Sequence, residues 1–208
     1  MTAPPQGLGR PEVALCDAGD PVLTPSSDLA VARGHVRAAP PGRADHEAAR
    51  ARILAFLDAH PDALHRSCAE GHLTGSAMVV DPASRRFLLM LHTKVGSWLQ
   101  PGGHADGDAA LPGVALKEAT EETGIAGLQV AAPAIDLDVH TFVAPGEPRH
   151  LHLDVRYLVV APAGAAPVGN HESRGLGWFA LDQLPGLGAD PGTLRLAASA
   201  LAALDALT

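Results

Sequence analysis

The sequence predicts a mixed α/β (α+β) domain preceded by an N-terminal helical extension, and three observations support this prediction. The chain has 208 residues, which at about 150 residues per domain leaves room for one core and an extension. Of these residues 47% are hydrophobic and 18% are charged, a composition typical of a folded globular chain rather than a disordered one. Short apolar runs alternate with helical patterns after residue 71, around one acidic helix.

The extension is predicted to comprise residues 1–71. Proline and glycine recur through residues 1–44, so irregular structure is expected for most of that segment, with the apolar run 28–32 able to dock. Asp45 is a candidate N-cap for one helix at about residues 45–59. A homodimer that uses the apolar face of this helix as its interface is one alternative.

The domain itself is predicted to occupy residues 72–208, with strands and helices interleaved. A glycine that follows the acidic helix is placed to end it in a left-handed conformation. In order, the predicted elements are a hairpin of Leu73–Val80 and Phe87–Leu91, a turn at Trp98–Gly103, a helix over Leu111–Thr123 ended by Gly124, strands Ile135–Val143 and Arg149–Val160, a strand at Trp178–Phe179, and a helix over Thr193–Leu207.

Charge, hydropathy and cysteine content exclude several classes of partner. The chain has 15 basic and 23 acidic residues and a net charge of −8, so it has no electrostatic basis for binding a nucleic acid polymer. No apolar run approaches the ~20 residues that span a bilayer, which argues against a membrane partner. Cys16 and Cys68 have no zinc-binding spacing. A cytoplasmic location is expected, because the N-terminus has no signal-peptide layout.

The most informative segment is the acidic end of the predicted central helix. Glu118, Glu121 and Glu122 are spaced i, i+3 and i+4, so their carboxylates project from one helical face. Like charges at this spacing destabilise a helix by roughly 0.2–0.5 kcal/mol per pair. Two interpretations remain from the helix alone: a solvated acidic face, or an oxygen-rich site for Mg²⁺ or Mn²⁺.

The surroundings of this helix resemble the signature of the Nudix hydrolase superfamily. That signature begins with a glycine and contains an Arg-Glu pair, a later Glu-Glu pair and a glycine before an apolar residue. Here Gly103 begins the pattern, and Glu118, Glu121-Glu122 and Gly124-Ile125 stand at the required offsets. The resemblance covers about residues 72–190 and implies an α/β/α sandwich with a mixed sheet.

Two positions depart from the family pattern. Lys117 stands where the family has arginine, which keeps the charge but loses the planar, bidentate fork. Ala109 stands at the first glutamate position, and Asp108 could substitute for it if the loop is shifted by one residue. Both departures affect how the acidic cluster is oriented.

The resemblance also implies roles for individual residues. Glu118 and Glu122 would be the inner metal ligands and Glu121 an additional or water-mediated one, with Lys117 beside them. A divalent ion would neutralise the diphosphate and acidify a water for attack. Glu118 or the later Glu172 would take the proton, although Glu172 could equally be an exposed loop residue.

Substrate contacts are predicted at the turn that precedes the acidic helix. Gly102 and Gly103 lack side chains and would let the backbone come close to the substrate or the helix. Trp98 could stack on a nucleobase, or it could pack against the protein.

A predicted hairpin carries further polar residues on one face. Alternation places Asp138, His140, His150, His152 and Asp154 on the polar side of two strands. A five-residue turn would pair residues whose numbers sum to 292, so that His140 faces His152, Asp138 faces Asp154 and Asp136 faces Arg156. Opposed aspartates need a counter-charge.

Two interpretations of this face remain open. It is either a solvated polar face or a second metal or phosphate contact beside the acidic helix, which His104 could join.

Together these patterns predict a hydrolase dependent on Mg²⁺ or Mn²⁺ that cleaves the diphosphate linkage of a small molecule. The substrate would be a nucleoside diphosphate derivative or a similar phosphorylated metabolite. One alternative is a non-catalytic nucleotide-binding or metabolite-binding module on the same fold, which Ala109 and Lys117 favour. The other is a diphosphate isomerase, which needs a positioned cysteine, whereas Cys68 precedes the strands of the predicted domain.

Overall fold

The computed structural model describes residues 13–143 and 146–207. The chain forms one nine-stranded sheet with helices on both faces. The strands are β1 (Ala14–Cys16), β2 (Gly71–Asp81), β3 (Arg86–His92), β4 (Trp98–Leu99), β5 (Gly102–His104), β6 (Gln129–Ala132), β7 (Asp136–Phe142), β8 (His150–Val160) and β9 (Ser173–Phe179). The α-helices are α1 (Leu29–Ala38), α2 (Ala44–Ala59), α3 (Leu111–Thr123) and α4 (Pro191–Ala206), and short 3₁₀ helices span Pro21–Leu23 and Leu181–Leu187.

The expectation of irregular structure in residues 1–44 is wrong for the part from residue 13 onward, while residues 1–12 lie outside the described residues. That part contains β1, which pairs with β6, and α1. The Asp28 carboxylate caps α1 by accepting a 2.8 Å hydrogen bond from the Ala30 N–H. Ala32 and Val36 are fully buried. Turn-forming residues therefore mark the ends of short packed elements here.

The second helix of this segment begins slightly earlier than predicted and packs on the sheet. Arg43 occupies its N-cap position, and Asp45 lies within the first turn. Ile53 and Leu57 are buried in the chain's own core, so the apolar face considered for a dimer is already covered. The division between an extension, 1–71, and a domain remains a prediction.

The sheet is mixed, as predicted. Its main path runs β1-β6-β8-β2-β3-β4, with β5 beside β2, β7 beside β8 and β9 beside β3. The β2–β8 pair is parallel and the remaining pairs are antiparallel. Leu73 and Val79 of β2 pack with α2 and α3, whereas Met78 and Val80 pack with α4 on the other face. This layering is an α/β/α sandwich and explains why β2 is buried on both faces.

The two local predictions nearest to the acidic helix are confirmed. Helix α3 spans the predicted residues, and Gly124 ends it with a left-handed φ of 64°. Strands β7 and β8 pair in the predicted register, with Asp138 opposite Asp154 and His140 opposite His152. Residues 144 and 145 of the connecting turn lie outside the described residues. Within the described part of the chain, no helix is long and apolar enough to span a bilayer.

Candidate active site

One large cleft, with a volume of about 1120 Å³, lies between α3, the polar face of the β7–β8 hairpin and the loop before β9. Most of the residues predicted as functional line it, namely Gly102, Gly103, His104, Glu118, Glu122, Asp138, His140, His150, His152, Asp154 and Glu172. Trp98, Lys117 and Glu121 are not among its lining residues. The acidic helix and the hairpin face therefore border the same space.

Glycines allow β5 to lie against the carboxylates of α3. The Gly102 N–H donates a 2.9 Å hydrogen bond to the Glu122 carboxylate, which is only 4% exposed. A Cβ atom at Gly103 would lie 2.5 Å from Cδ of Glu118. Any side chain at this position would therefore displace the Glu118 carboxylate.

Burial makes these carboxylates hard to ionise. It raises the pKa of Glu122 to about 8, and the neighbouring charges of Glu118 and Glu172 add to this rise, while the Gly102 N–H opposes it. Burial also raises the pKa of Glu118, against the opposing charge of Lys117. Two partly desolvated carboxylates beside a third one are suited to bind a cation.

The carboxylates fit a hard divalent cation such as Mg²⁺ or Mn²⁺. Glu118, Glu122 and Glu172 supply only oxygen atoms, which are the ligands that these ions prefer. Such an ion would also provide the positive charge that the raised pKa values indicate is lacking. The residues that would hold it are thus Glu118 and Glu122 from α3, with the Glu172 carboxyl group beside Glu122.

The other residues of the acidic segment lie at its exposed edge. The Lys117 ammonium is 3.4 Å from the Glu118 carboxylate and 3.9 Å from that of Glu121. The Glu121 side chain is 58% exposed. Lysine therefore reaches both glutamates through single contacts, where the family's arginine would have a bidentate fork.

Trp98 packs against the protein, which is the second of the two roles considered for it. Its ring packs edge-on against Phe179, with the centroids 5.0 Å apart. Since Trp98 does not line the cleft, the structure does not support the prediction that it stacks on a base there.

Neither Ala109 nor Asp108 takes the role of the first glutamate of the family pattern. Ala109 is fully buried. The carboxylate of Asp108 accepts hydrogen bonds from the backbone N–H groups of Ser26 (3.0 Å) and Ala110 (2.9 Å). Asp108 therefore holds the N-terminal segment against the start of α3, which corrects the expectation that it could substitute.

The opposed aspartates of the hairpin obtain their counter-charge from two arginines. Arg156 lies 2.7 Å from Asp154, 3.0 Å from Asp138 and 3.3 Å from Asp136. Arg195 of α4 lies 2.9 Å from Asp136 and 2.8 Å from Asp138. The predicted pair between Asp136 and Arg156 is thus part of a larger, largely buried network.

This network lowers the pKa of Asp138 and Asp154, whereas burial raises the pKa of the α3 carboxylates. Burial alone would raise the pKa of Asp138, but the hydrogen bond from His140 and the charge of Arg156 hold it well below its usual value. The pKa of Asp154 is also lowered, because Arg156 and Ser76 outweigh its burial. These aspartates are ionised and already neutralised by protein groups.

Four histidines form a cluster on the cleft wall next to this network. His104, His150 and His152 were expected there, and His72 of β2 joins them. Burial lowers the pKa of His104 to about 4 and that of His152 to about 3, and nearby imidazoles contribute. Burial also lowers the pKa of His72. All three rings are therefore uncharged at neutral pH.

Sequence reasoning missed His72 and Arg195 as residues of this cleft. His72 lies beside His152 because β2 and β8 are parallel neighbours, and no local pattern indicates which distant strands pair. Arg195 stands on a helix whose contacts with the hairpin are also long-range. A sequence signal was available only for His72, which lies near the start of the first strand of the predicted domain and alternates there with apolar Leu73.

Cys68 lines the cleft although it precedes the predicted domain. The thiol is buried, and burial raises its pKa. It is therefore protonated at neutral pH and poorly suited to act as a thiolate.

Comparison with known proteins agrees with this architecture. The family model described as NUDIX domain matches residues 72–198. A search of curated proteins gives no match. The similar solved structures show the same fold at low sequence identity.

Three of these structures illustrate the likeness. The possible asymmetric diadenosine tetraphosphate hydrolase of Jonesia denitrificans is 16% identical and covers 65% of this chain and 96% of its own, with a TM-score of 0.50. The Ap4A hydrolase of C. elegans is 20% identical and covers 63% and 97%, with a TM-score of 0.48. The NUDIX domain of Shewanella oneidensis NrtR, solved with ADP ribose, is 18% identical and covers 65% and 88%, with a TM-score of 0.49.

The family match covers more than half of the chain and includes β2 from its second residue, the acidic helix and the first half of α4. The match supports an enzyme of the Nudix pyrophosphohydrolase type. The chain belongs to the Nudix domain family.

Proposed function

We propose that the protein hydrolyses the diphosphate linkage of a nucleoside diphosphate derivative, or of a similar small phosphorylated metabolite, with Mg²⁺ or Mn²⁺. The observation that carries this proposal is the pair of desolvated carboxylates, Glu118 and Glu122, with Glu172 beside Glu122. Burying uncompensated carboxylates destabilises a protein, and a bound divalent cation would remove that cost.

The bound cation would neutralise the charge of the diphosphate and lower the pKa of an attacking water. Glu118 and Glu122 would hold the cation, and the Gly102 N–H would orient the Glu122 carboxylate. Glu172 would take the proton from the attacking water, because it lies beside Glu122 but belongs to the loop before β9 and not to the helix that supplies the ligands.

A cation at the rim of the cleft would bind the phosphates. Lys94 lines the cleft, and its side chain is 73% exposed, with its ammonium 3.8 Å from Glu147. A weak, solvated ion pair of this kind is easily exchanged for a phosphate contact. Gly103 lets the Glu118 carboxylate lie directly against the β5 backbone at the phosphate site, because a Cβ atom there would lie 2.5 Å from Cδ of Glu118.

The direct test is an assay of the full chain with Mg²⁺ and Mn²⁺ on nucleotide sugars, dinucleoside polyphosphates and nucleoside triphosphates. Products would be separated by anion-exchange chromatography, so that cleavage within a diphosphate is distinguished from loss of terminal phosphate. We expect cleavage of at least one class, dependent on the added metal. Binding of these compounds without turnover would favour the non-catalytic module instead.

A further inference from the structure

A second cluster of potential metal ligands lies in the same cleft, and the proposed hydrolysis does not use it. The cluster consists of His72 from β2, His104 from β5, and His150 and His152 from β8. One ligand nitrogen of each ring lies within 4.8 Å of those of the other three. We propose that these four histidines bind one transition-metal ion of the class that prefers imidazole, represented by Zn²⁺.

His72 provides the first independent indication of a ligand. Its side chain is 4% exposed, and neither of its ring nitrogens forms a hydrogen bond of normal geometry among the described residues, while the Cys68 backbone lies close enough to raise its pKa against the effect of burial. A neutral imidazole has one donor and one acceptor, and burying both without partners costs free energy. The ring centroid lies 4.8 Å from that of His104 and 4.7 Å from that of His150. A metal ion among these rings would give one of the two nitrogens a partner.

His150 provides the second indication, through its tautomer. Its Nδ1 lies 2.8 Å from the carbonyl oxygen of Pro148. A carbonyl oxygen only accepts hydrogen bonds, so Nδ1 carries the proton and Nε2 keeps its lone pair. Histidine ligands of metals are commonly oriented by this type of hydrogen bond to a backbone carbonyl.

The spacing of the nitrogens fits a common ion. Nε2 of His150 lies 3.2 Å from Nε2 of His152. Two nitrogens bound tetrahedrally to Zn²⁺ at about 2.0–2.1 Å would lie about 3.3–3.4 Å apart. These two side chains are thus close to a coordinating arrangement before any ion is bound.

The predicted site differs from the carboxylate site in chemistry and role. Uncharged imidazoles favour transition metals, whereas the carboxylates of Glu118 and Glu122 favour hard ions. Four protein ligands leave no open coordination position, which is typical of structural sites. The ion would tie together β2, β5 and β8, so we expect it to raise the thermal midpoint of unfolding.

The first experiment is equilibrium dialysis of the full chain against Zn²⁺, followed by elemental analysis and calorimetric titration. We expect one Zn²⁺ per chain, with an affinity that falls at least about 100-fold in His104→Ala and in His152→Ala, beyond the usual effect of losing an outer-shell partner. The matched control is His171→Ala, because that cleft side chain is 90% exposed and outside the cluster. This control should bind Zn²⁺ like the original chain.

A further variant and a spectrum separate lost ligation from lost folding. His72→Leu should fold without metal, because an apolar side chain replaces a buried ring with unpartnered nitrogens. It should lose the rise in thermal midpoint that Zn²⁺ causes. Long-range ¹H–¹⁵N spectra of the original chain should show Zn²⁺-induced shifts for these four histidines and not for the other seven of the eleven.

Two results would overturn the inference. One is equal Zn²⁺ affinity in the original chain and the three cluster variants. The other is Zn²⁺ binding that is lost in Glu118→Gln but kept in the cluster variants, which would place the ion at the carboxylates. The inference does not rest on the proposed function, since Zn²⁺ binding is measured without a substrate.

Discussion

The acidic end of α3 and the β7–β8 hairpin both place several carboxylates in one cleft, yet the two regions have opposite electrostatics. Burial raises the pKa of Glu118 and Glu122, with a single exposed lysine nearby. In the hairpin, Arg156 and Arg195 lower the pKa of Asp138. The comparison shows that buried carboxylates point to a metal site only where the protein itself supplies too little positive charge.

The largest effect is expected from removing the hairpin's internal counter-charge. Arg156→Met would leave Asp136 and Asp154 buried, with Arg195 still paired to Asp136 and Asp138 but no arginine contact recorded for Asp154 among the described residues. Breaking a buried ion pair from one side costs about 3–5 kcal/mol, and we expect a loss of stability of that size in urea unfolding. Arg85→Met is the control, because its ion pair with Asp205 is exposed. A small loss for Arg156→Met would mean that the network is solvated.

The uncompensated carboxylates should matter for turnover rather than for stability. Glu118→Gln and Glu122→Gln should each lower kcat by at least ~10²-fold, because each removes charge from a proposed metal ligand. Both variants should unfold cooperatively, like the original chain. Glu121→Gln is the matched comparison and should lose at least about tenfold less activity, since its side chain is 58% exposed. Near-original turnover in Glu118→Gln and Glu122→Gln would contradict the assignment.

The pH dependence of stability should distinguish the two regions without any substrate. In the folded protein the pKa of Glu122 is raised to about 8 from 4.5, so the folded state holds a proton that the unfolded state has released. Stability should therefore fall as pH rises from about 4.5 to 8 in the presence of a chelator. Glu122→Gln cannot ionise, and we expect it to be about 2 kcal/mol more stable than the original chain at pH 8.5.

This prediction is checked by urea unfolding at pH 5 and pH 8.5 with and without Mg²⁺. Mg²⁺ should remove most of the deficit in the original chain, because the ion replaces the proton, and should have little effect on Glu122→Gln. The hairpin aspartates contribute a pH dependence of stability with the opposite sign. Their lowered pKa values contribute stability above the usual aspartate range, which is lost only as pH falls through the lowered values. A stability that rises from pH 5 to 8.5 without metal would be evidence against an uncompensated Glu122.

The smallest effect is expected at Lys117, whose ammonium lies beside Glu118 and Glu121. Lys117→Arg should leave kcat unchanged or raise it by up to about threefold, because a guanidinium can bind Glu118 and Glu121 through two parallel hydrogen bonds. Steady-state assays of Lys117→Arg and Lys117→Met, measured together, show whether the positive charge itself is needed for activity. A clear loss of activity in Lys117→Arg, with unchanged stability, would show that the local geometry depends on the ammonium.

Local patterns predicted the parts of the site that lie within one or two neighbouring elements. The spacing of Glu118, Glu121 and Glu122 placed them on one helical face, and Gly124 marked the helix end. Alternation and a short turn predicted the pairing of Asp138 with Asp154. These predictions hold because helix periodicity, strand alternation and short turns depend on residues close in sequence.

The N-terminal segment shows where the same reasoning failed. Its prolines and glycines suggested irregular structure, but Asp28 begins a helix whose Ala32 and Val36 are buried against the core. Burial by distant elements stabilised a ten-residue helix that would be marginal alone.

The sequence by itself determined the acidic helix, the polar face of the hairpin and the family to which both point. Only the tertiary structure decided which charges are compensated and which histidines meet. Arg195 reaches Asp138 from the last helix, and His72 reaches His152 through a parallel strand pair 80 residues apart in sequence. Such contacts depend on which elements pack together. The free energy of that packing is spread over the whole core, so no local sequence pattern determines it.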